Sequence, residues 1–470
     1  MDKLELKRPG VLIPSLVALG LVLRLYHYGR NPALWHDEAA TVLNVIHKSF
    51  GELLGPLYAS ATGPPLFLWL QKSVTLGLGD GTYALRLVSL LASCLGLIVF
   101  ARLARQTLAP IGAISAVLLV ACSDRLLWHA AEARHYSSDF LIAVLLLALL
   151  CLTTAWPAYR RAGLFALLAP VVIFASYPGV FLCGGLWVAL WPASRRERRW
   201  AGLLLLGSTI AVAFAAFYFF TIRVQRSAAM DAAWLHAFPD WHRPWSVPAW
   251  AVRSTVGLVD YFCRPIGGIL IVPAIMGAVR FWRAGRRELV LFALVPMFLA
   301  MSAAFAKAYP YTGARTMVFA MPALVLLIGH GIAGMVAWRP RHRGLRTLVL
   351  AVVVIPLVAT FGFVGYRTVV PWPRAETAAA SAYVLAHRQM NESVTANHWE
   401  YEYYFRDLGE AFSPNLLLLD QPPRSARIWV VLAGHDPRTR DALATATLSR
   451  WRVVERHEFT GASVLLAIPQ

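Results

Sequence analysis

Long apolar runs alternate with short polar connections along most of this chain, and the runs set its architecture. A helix that crosses a bilayer needs about 20 mostly apolar residues. Eleven runs approach that length: 11–28, 83–101, 108–122, 138–155, 162–176, 179–193, 201–222, 265–282, 289–306, 316–337 and 347–366. Each predicts a helix. The pair that meets at Ser176-Tyr177-Pro178-Gly179 also fits a broken or re-entrant hairpin, because Pro and Gly stop helices and such backbone persists at membrane depth only under cover of protein or water. Residues 41–57 set Val42, Val45, Ile46, Phe50, Leu53 and Leu54 at helical spacing, and residues 64–79 form a second short apolar stretch. Both predict helices lying at the membrane interface. From about residue 367 the pattern changes. Residues 376–389 and 436–448 read as helices, and 427–432 and 463–468 as strands. The expected fold class is a polytopic all-α membrane protein of about 11 transmembrane helices over residues 1–370, with a small α/β domain over 371–470.

Composition agrees with that pattern. Hydrophobic residues make up 58% of the 470 positions and charged residues 15%, whereas soluble proteins carry about 25% charged residues. Net charge is +19, yet the cations fall in short clusters between apolar runs rather than on one polar, aromatic-studded domain, which argues against a nucleic-acid partner. Short cytoplasmic loops retain Lys and Arg. With the N-terminus inside, the inside segments, among them Lys3, Lys7, Arg8, the Arg195–Arg199 cluster and Arg339 to Arg346, hold nineteen cations against four carboxylates. This alternation requires that 64–79 does not cross, so Lys72 faces the headgroups. It also places the 29–82 loop, the turns near 130 and 310, and the 371–470 tail on the outer face of a bacterial-type cell membrane. The five cysteines lie in or beside apolar runs with no CxxC spacing, and read as small apolar residues.

Chemistry-bearing groups are sparse inside the runs and gather in three of the expected outer loops. The first is Asn31-Pro-Ala-Leu-Trp-His-Asp37-Glu38-Ala39, two adjacent carboxylates just beyond the first span. Asp37 there is a candidate general base or an N-cap of the helix that follows. The second is Glu132-Ala-Arg134-His135-Tyr136, and the third is Lys307-Ala-Tyr309-Pro-Tyr311-Thr-Gly-Ala-Arg315. Cations in short outer loops suit an anionic ligand, and the planar guanidinium fork binds phosphate oxygens in pairs. A phosphate presented among apolar helices is most simply a lipid headgroup. Carboxylates and cations together then suit transfer of whatever that phosphate carries. A transporter or flippase of lipid-linked saccharides is the alternative, but it calls for ionisable groups near the midplane and for symmetric repeats, neither of which the sequence shows.

Trp35-His-Asp-Glu-Ala39, Gly63-Pro-Pro-Leu66, Tyr83-Ala-Leu-Arg-Leu-Val-Ser89 and Glu132-Ala-Arg-His-Tyr136 resemble the membrane glycosyltransferases of the GT-C superfamily. The likeness is to the branch of protein O-mannosyltransferases and lipid A aminoarabinose transferases. The resemblance implies a GT-C type fold, a polyprenyl-phosphate sugar donor, an extracytoplasmic acceptor (glycolipid, lipid A, glycan or protein) and inversion at the anomeric carbon. It implies Asp37 and Glu38 as the catalytic carboxylates. Arg134 with Tyr136, and Arg315 with Tyr309 or Tyr311, are implied to hold the donor phosphate or shape the lipid groove. Relatives of the aminoarabinose branch place Lys or His before the Pro-Pro pair where this chain has Gly63, so that phosphate contact is either absent or supplied by Lys72 or Lys307. No cofactor is called for. A divalent cation would meet Glu38, His36 and His135, whose spacing follows no ligand pattern, so no metal site is assigned.

Overall fold

A computed structural model describes residues 9–338, 341–416, 419, 426–434 and 436–470. Lys3, Lys7, Arg8 and Arg339, used in the orientation argument, lie outside the described residues. All eleven apolar runs are helical. Among the described residues, seven helices are long and apolar enough to cross a membrane, and nine spans result if each of two bent pairs counts as one. The first pair is Pro110–Ala121 with Asp124–Ala130, bent by 48°, and the second is Pro244–Phe262 with Gly267–Arg283, bent by 108°. The remaining runs form the 17-residue helix Tyr136–Leu152 and the helix Gly179–Glu197. The chain divides into two compact units, one of Met1–Arg30, Leu54–Pro56 and Gly63–Val370, the other of Asn31–Leu53, Leu57–Thr62 and Pro371–Gln470.

In chain order the helices that bear on the site are α1 (Pro9–Gly29), α2 (His36–His47), α3 (Pro65–Leu78), α4 (Thr82–Thr107), α5 (Pro110–Ala121), α6 (Asp124–Ala130) and α7 (Tyr136–Leu152). The first unit is built around the helical segment Arg315–Ala337, whose most apolar stretch is 94% buried. A helix surrounded by others needs small residues where backbones touch, and its glycines supply them. A Cβ on Gly331 would lie 1.8 Å from the Pro273 carbonyl oxygen, and one on Gly277 would lie 1.9 Å from that of Leu327. Because the obstacle is backbone, no rotamer change relieves it. Gly331→Ala is therefore expected to destabilise the bundle by at least the ~3 kcal/mol at the top of the overpacking range. Detergent-solubilised Gly331→Ala should unfold well below wild type in a thermal scan, and an unchanged midpoint would refute the contact. Arg24, fully buried on α1, binds α1 to its neighbours. It donates to Ser93 Oγ on α4 at 2.9 Å and to the Ala121 and Val120 carbonyls of α5 at 3.3 and 3.2 Å, so its charge is solvated by protein.

The second unit centres on a five-stranded sheet ordered β2-β1-β3-β5-β4, with β1 Ser393–Ala396, β2 Phe412–Ser413, β3 Ile428–Ala433, β4 Trp451–Phe459 and β5 Ala462–Pro469. β1 runs parallel to β2 and β3, while β5 is antiparallel to β3 and β4. Buried on both faces, β3 reads as a continuous apolar run. Trp429 and Val431 pack with Val464, Leu466 and Tyr401, whereas Val430 and Leu432 pack with Leu465 and Trp451 on the opposite face. At the edge, β4 carries Arg452, Glu455, Arg456 and Glu458, charges that discourage pairing with another chain. Helices Thr377–His387 and Pro437–Thr447 and both long central strands fall close to the sequence expectation.

The first-loop helix differs from expectation. It runs from His36 to His47 rather than over 41–57, and a separate turn follows at Glu52–Leu54. The cause is local. Gly51 is a poor helix residue, and the Glu52 carboxylate accepts from both the N–H and the hydroxyl of Ser49, at 2.7 and 2.6 Å, closing a turn in place of the next helical one. The apolar face of α2, with Ala39, Val42, Leu43 and Val45, is buried.

Candidate functional site

Two groups of polar side chains stand out, one in each unit. The first is built on the connection between α5 and α7. Its backbone is pinned by Ser89 of α4, whose hydroxyl donates to the Arg134 carbonyl at 2.8 Å. The loop is not a solvated turn: Glu132 is fully buried and Arg134, His135 and Tyr136 nearly so. His129 on α6 pairs through Nδ1 with Glu132 at 2.7 Å and through Nε2 with the Tyr261 hydroxyl at 3.0 Å. Glu132 thus orients a histidine. The guanidinium of Arg134 lies 5.6 Å from the Tyr136 ring centre and donates to its hydroxyl at 3.3 Å. Arg315, 5.9 Å from the same ring, stands 5.6 Å from the Trp234 ring. Arg125 lies over Tyr261 and Trp128.

Packing several guanidiniums into a low-dielectric site is costly unless an anion joins them. The surroundings register that field. His135 is held well below its ordinary pKa, first by burial and then by Arg134, Arg315 and His129. It is therefore neutral at physiological pH, and the positive charge of the cluster rests on guanidiniums that do not titrate there. Tyr309 is pushed well above its usual pKa by burial, with Asp139 and Tyr136 adding to the effect. Its hydroxyl stays protonated and donates to the Thr316 carbonyl at 2.6 Å.

The second group surrounds the start of α2. Trp35 occupies the N-cap in extended conformation with no side-chain cap bond, so Asp37 is not the cap. It sits instead in the first turn with Glu38, where the helix dipole favours carboxylates. The two acids point differently. The Glu38 side chain is fully buried and paired with Arg374 at 2.5 Å, while that of Asp37 is 22% exposed, with His36 Nε2 at 3.4 Å from its Oδ1. Residues from the C-terminal part of the same unit grip the strand entering α2. Arg374 donates to the Ala33 carbonyl at 2.9 Å, the Tyr404 hydroxyl accepts from the Leu34 N–H at 2.8 Å, and Trp399 Nε1 donates to the His36 carbonyl at 3.0 Å. Glu400 is pushed up to about 7 by burial, with Glu38 and Asp37 raising it further against the opposing Arg374. His398 is pulled down to about 4 by burial and by His36.

The whole chain superimposes on known structures. It matches ArnT from Cupriavidus metallidurans in the apo state over 97% of both chains, with a TM-score of 0.56 at 16% identity. It also matches ArnT bound to undecaprenyl phosphate over 97% of both, with a TM-score of 0.55 at 15% identity. The chain has the GT-C type fold. No protein-family profile and no curated protein sequence matches it.

Within this fold the residues singled out in the sequence are distributed unevenly. Arg134, Tyr136 and Arg315 come together. Arg315 stands over the rings of Tyr136 and Trp234. The Tyr311 hydroxyl shares a hydrogen bond with Thr255 at 2.9 Å, and its ring packs on Trp250. Lys307 is exposed in a left-handed turn, φ 52°, and its carbonyl accepts from Arg226. Lys72 is half-buried on α3. At Gly63 the backbone N–H donates to Gln225 at 3.1 Å, and a Cβ would meet Leu68 Cδ2 at 2.8 Å, so a longer residue there requires the Leu68 side chain to move. Among the described residues no group of three or more His, Cys, Asp or Glu is arranged to hold a metal ion. Arg125, His129, Tyr261 and Arg374 were not singled out in the sequence. The first two lie in a loop the sequence did mark, while Arg374 and Tyr261 carry no sequence signal of their own.

Proposed function

We propose that the protein is a membrane glycosyltransferase that moves a sugar from a polyprenyl-phosphate donor to an extracytoplasmic acceptor. The observation that carries this reading is the convergence of Arg134 and Arg315 on Tyr136, in a fold similar to that of ArnT, which has been seen bound to undecaprenyl phosphate. A buried guanidinium, Arg134, and a half-buried one, Arg315, against one aromatic face make a receptor for a single phosphate flanked by lipid.

The reaction proposed is a single displacement. An acceptor oxygen attacks the anomeric carbon, the bond from that carbon to the phosphate oxygen breaks, and the polyprenyl phosphate departs with its charge stabilised by Arg134 and Arg315. The acceptor proton passes to Asp37. Attack opposite the leaving group inverts the anomeric carbon. Where the acceptor is itself a phosphate, it is already anionic and Asp37 orients it.

Mass spectrometry of glycolipids and surface glycans from cells with and without the protein tests this reading. The expected result is one sugar-bearing species lost on deletion, with its lipid-linked donor accumulating. Identical profiles would contradict it.

A further inference from the structure

The sequence marks Asp37 and Glu38 as a pair, yet their side chains part company. Glu38 turns inward onto Arg374, and the same guanidinium reaches the Ala33 carbonyl. One side chain therefore fixes both the first turn of α2 and the extended segment before it. Trp399 and Tyr404 add bonds to His36 and Leu34. The Tyr58 hydroxyl donates to Glu402 at 2.5 Å, and the Tyr58 N–H donates to Asn44 Oδ1 at 2.8 Å, which secures α2 further along. Three backbone positions leading into Asp37, at Ala33, Leu34 and His36, are thus held by side chains from beyond residue 370, the part of the chain to which the proposed reaction gives no role.

We propose that Arg374 is a positioning residue for transfer: working through Glu38 and the Ala33 carbonyl, it fixes the first turn of α2 and so aims the Asp37 carboxylate, making residues 371–404 part of the working site. The inference rests on the reading of Asp37 as base or orienting group. Glu38, on this account, is an anchor that does not touch substrate.

The charge balance at this point is tight. Asp37, Glu38 and Glu400 are three carboxylates. The cation among them is Arg374, and His36 and His398 lie at the edge with their rings 6.0 Å apart. Removing Arg374 takes away the cation that opposes burial at Glu400, so Glu400 keeps its proton to higher pH and the acidic cluster beside Asp37 loses negative charge. A role confined to stability would not produce that change.

The test is a kinetic comparison in membranes supplied with undecaprenyl-phosphate-linked mannose or aminoarabinose, whichever the wild-type protein consumes, and with extracted envelope lipids as acceptor. For Arg374→Met, kcat should fall by about tenfold or more, with donor KM within about twofold, and the acid limb of kcat/KM should move up by about one pH unit. Arg374→Lys keeps the charge but cannot serve both acceptors. It should restore the acid limb and only part of kcat. The neutral pair Glu38→Gln with Arg374→Met leaves no unpaired buried charge and so guards against simple misfolding. It should also return the limb to its wild-type position while kcat stays low. Wild-type kcat and acid limb in folded Arg374→Met, with Asp37→Asn inactive, would overturn this proposal alone. Wild-type transfer by Asp37→Asn would overturn the reading beneath it as well.

Discussion

Asp37→Asn is expected to lower kcat for transfer to a hydroxyl acceptor by about 10²–10⁴, the usual contribution of a positioned base, while donor KM changes little. Asn has nearly the same shape and still accepts a hydrogen bond, so the first turn of α2 should persist. The structure sharpens the expectation, because two structural duties open to an acid at this helix start fall to other residues. The N-cap is Trp35 without a side-chain cap bond, and the buried ion pair belongs to Glu38. Asp37 keeps part of its side chain in solvent, as a group that must meet a substrate requires. With an acceptor that is already anionic, the loss should appear in acceptor KM instead. Transfer equal to wild type on both counts would remove Asp37 from the reaction.

The second large effect is on donor recognition. Arg134→Ala and Arg315→Ala should each raise donor KM by roughly ten- to a hundredfold, equivalent to the ~1.5–3 kcal/mol of a hydrogen bond to a charged group. Arg315→Lys should recover little, because an ammonium neither forks onto phosphate oxygens nor stacks between Tyr136 and Trp234 as a guanidinium does. Since burial and the neighbouring guanidiniums hold His135 neutral, it adds no pH dependence to donor KM between pH 6 and 8. Unchanged donor KM in both alanine variants, measured by titrating the lipid-linked sugar, would place the phosphate elsewhere.

The architecture was largely written in hydropathy, for a physical reason. A backbone in lipid must satisfy its hydrogen bonds locally, so each apolar run can only be helical. All eleven runs are. The bends of 48° and 108° were less legible, since the first falls at Cys122-Ser123, which carries no Pro or Gly. In the tail, β3 and β5 announced themselves as apolar runs, while β4 did not, because an edge strand exposes alternating charges and resembles a loop.

The candidate site was legible where chemistry breaks the apolar pattern, as in Glu132-Ala-Arg-His-Tyr136. It was illegible where function depends on what lies across from a residue. Periodicity showed that α2 has an apolar face but not that protein covers it, and an unremarkable Arg374 in a polar tail gave no hint that it clasps Glu38. Tyr309 is the converse case. Its type and position suited phosphate binding, yet its hydroxyl is committed to the Thr316 carbonyl.

The most direct test of the central claim uses the protein reconstituted in vesicles with a polyprenyl-phosphate-linked sugar and acceptor lipids, with free polyprenyl phosphate and glycosylated acceptor quantified together. Transfer predicts that the two products appear in equal amounts with wild type and that both fall to background with Asp37→Asn. Movement of intact donor across the bilayer with no release of polyprenyl phosphate would contradict it, and would make the protein a carrier of lipid-linked sugar instead of a transferase.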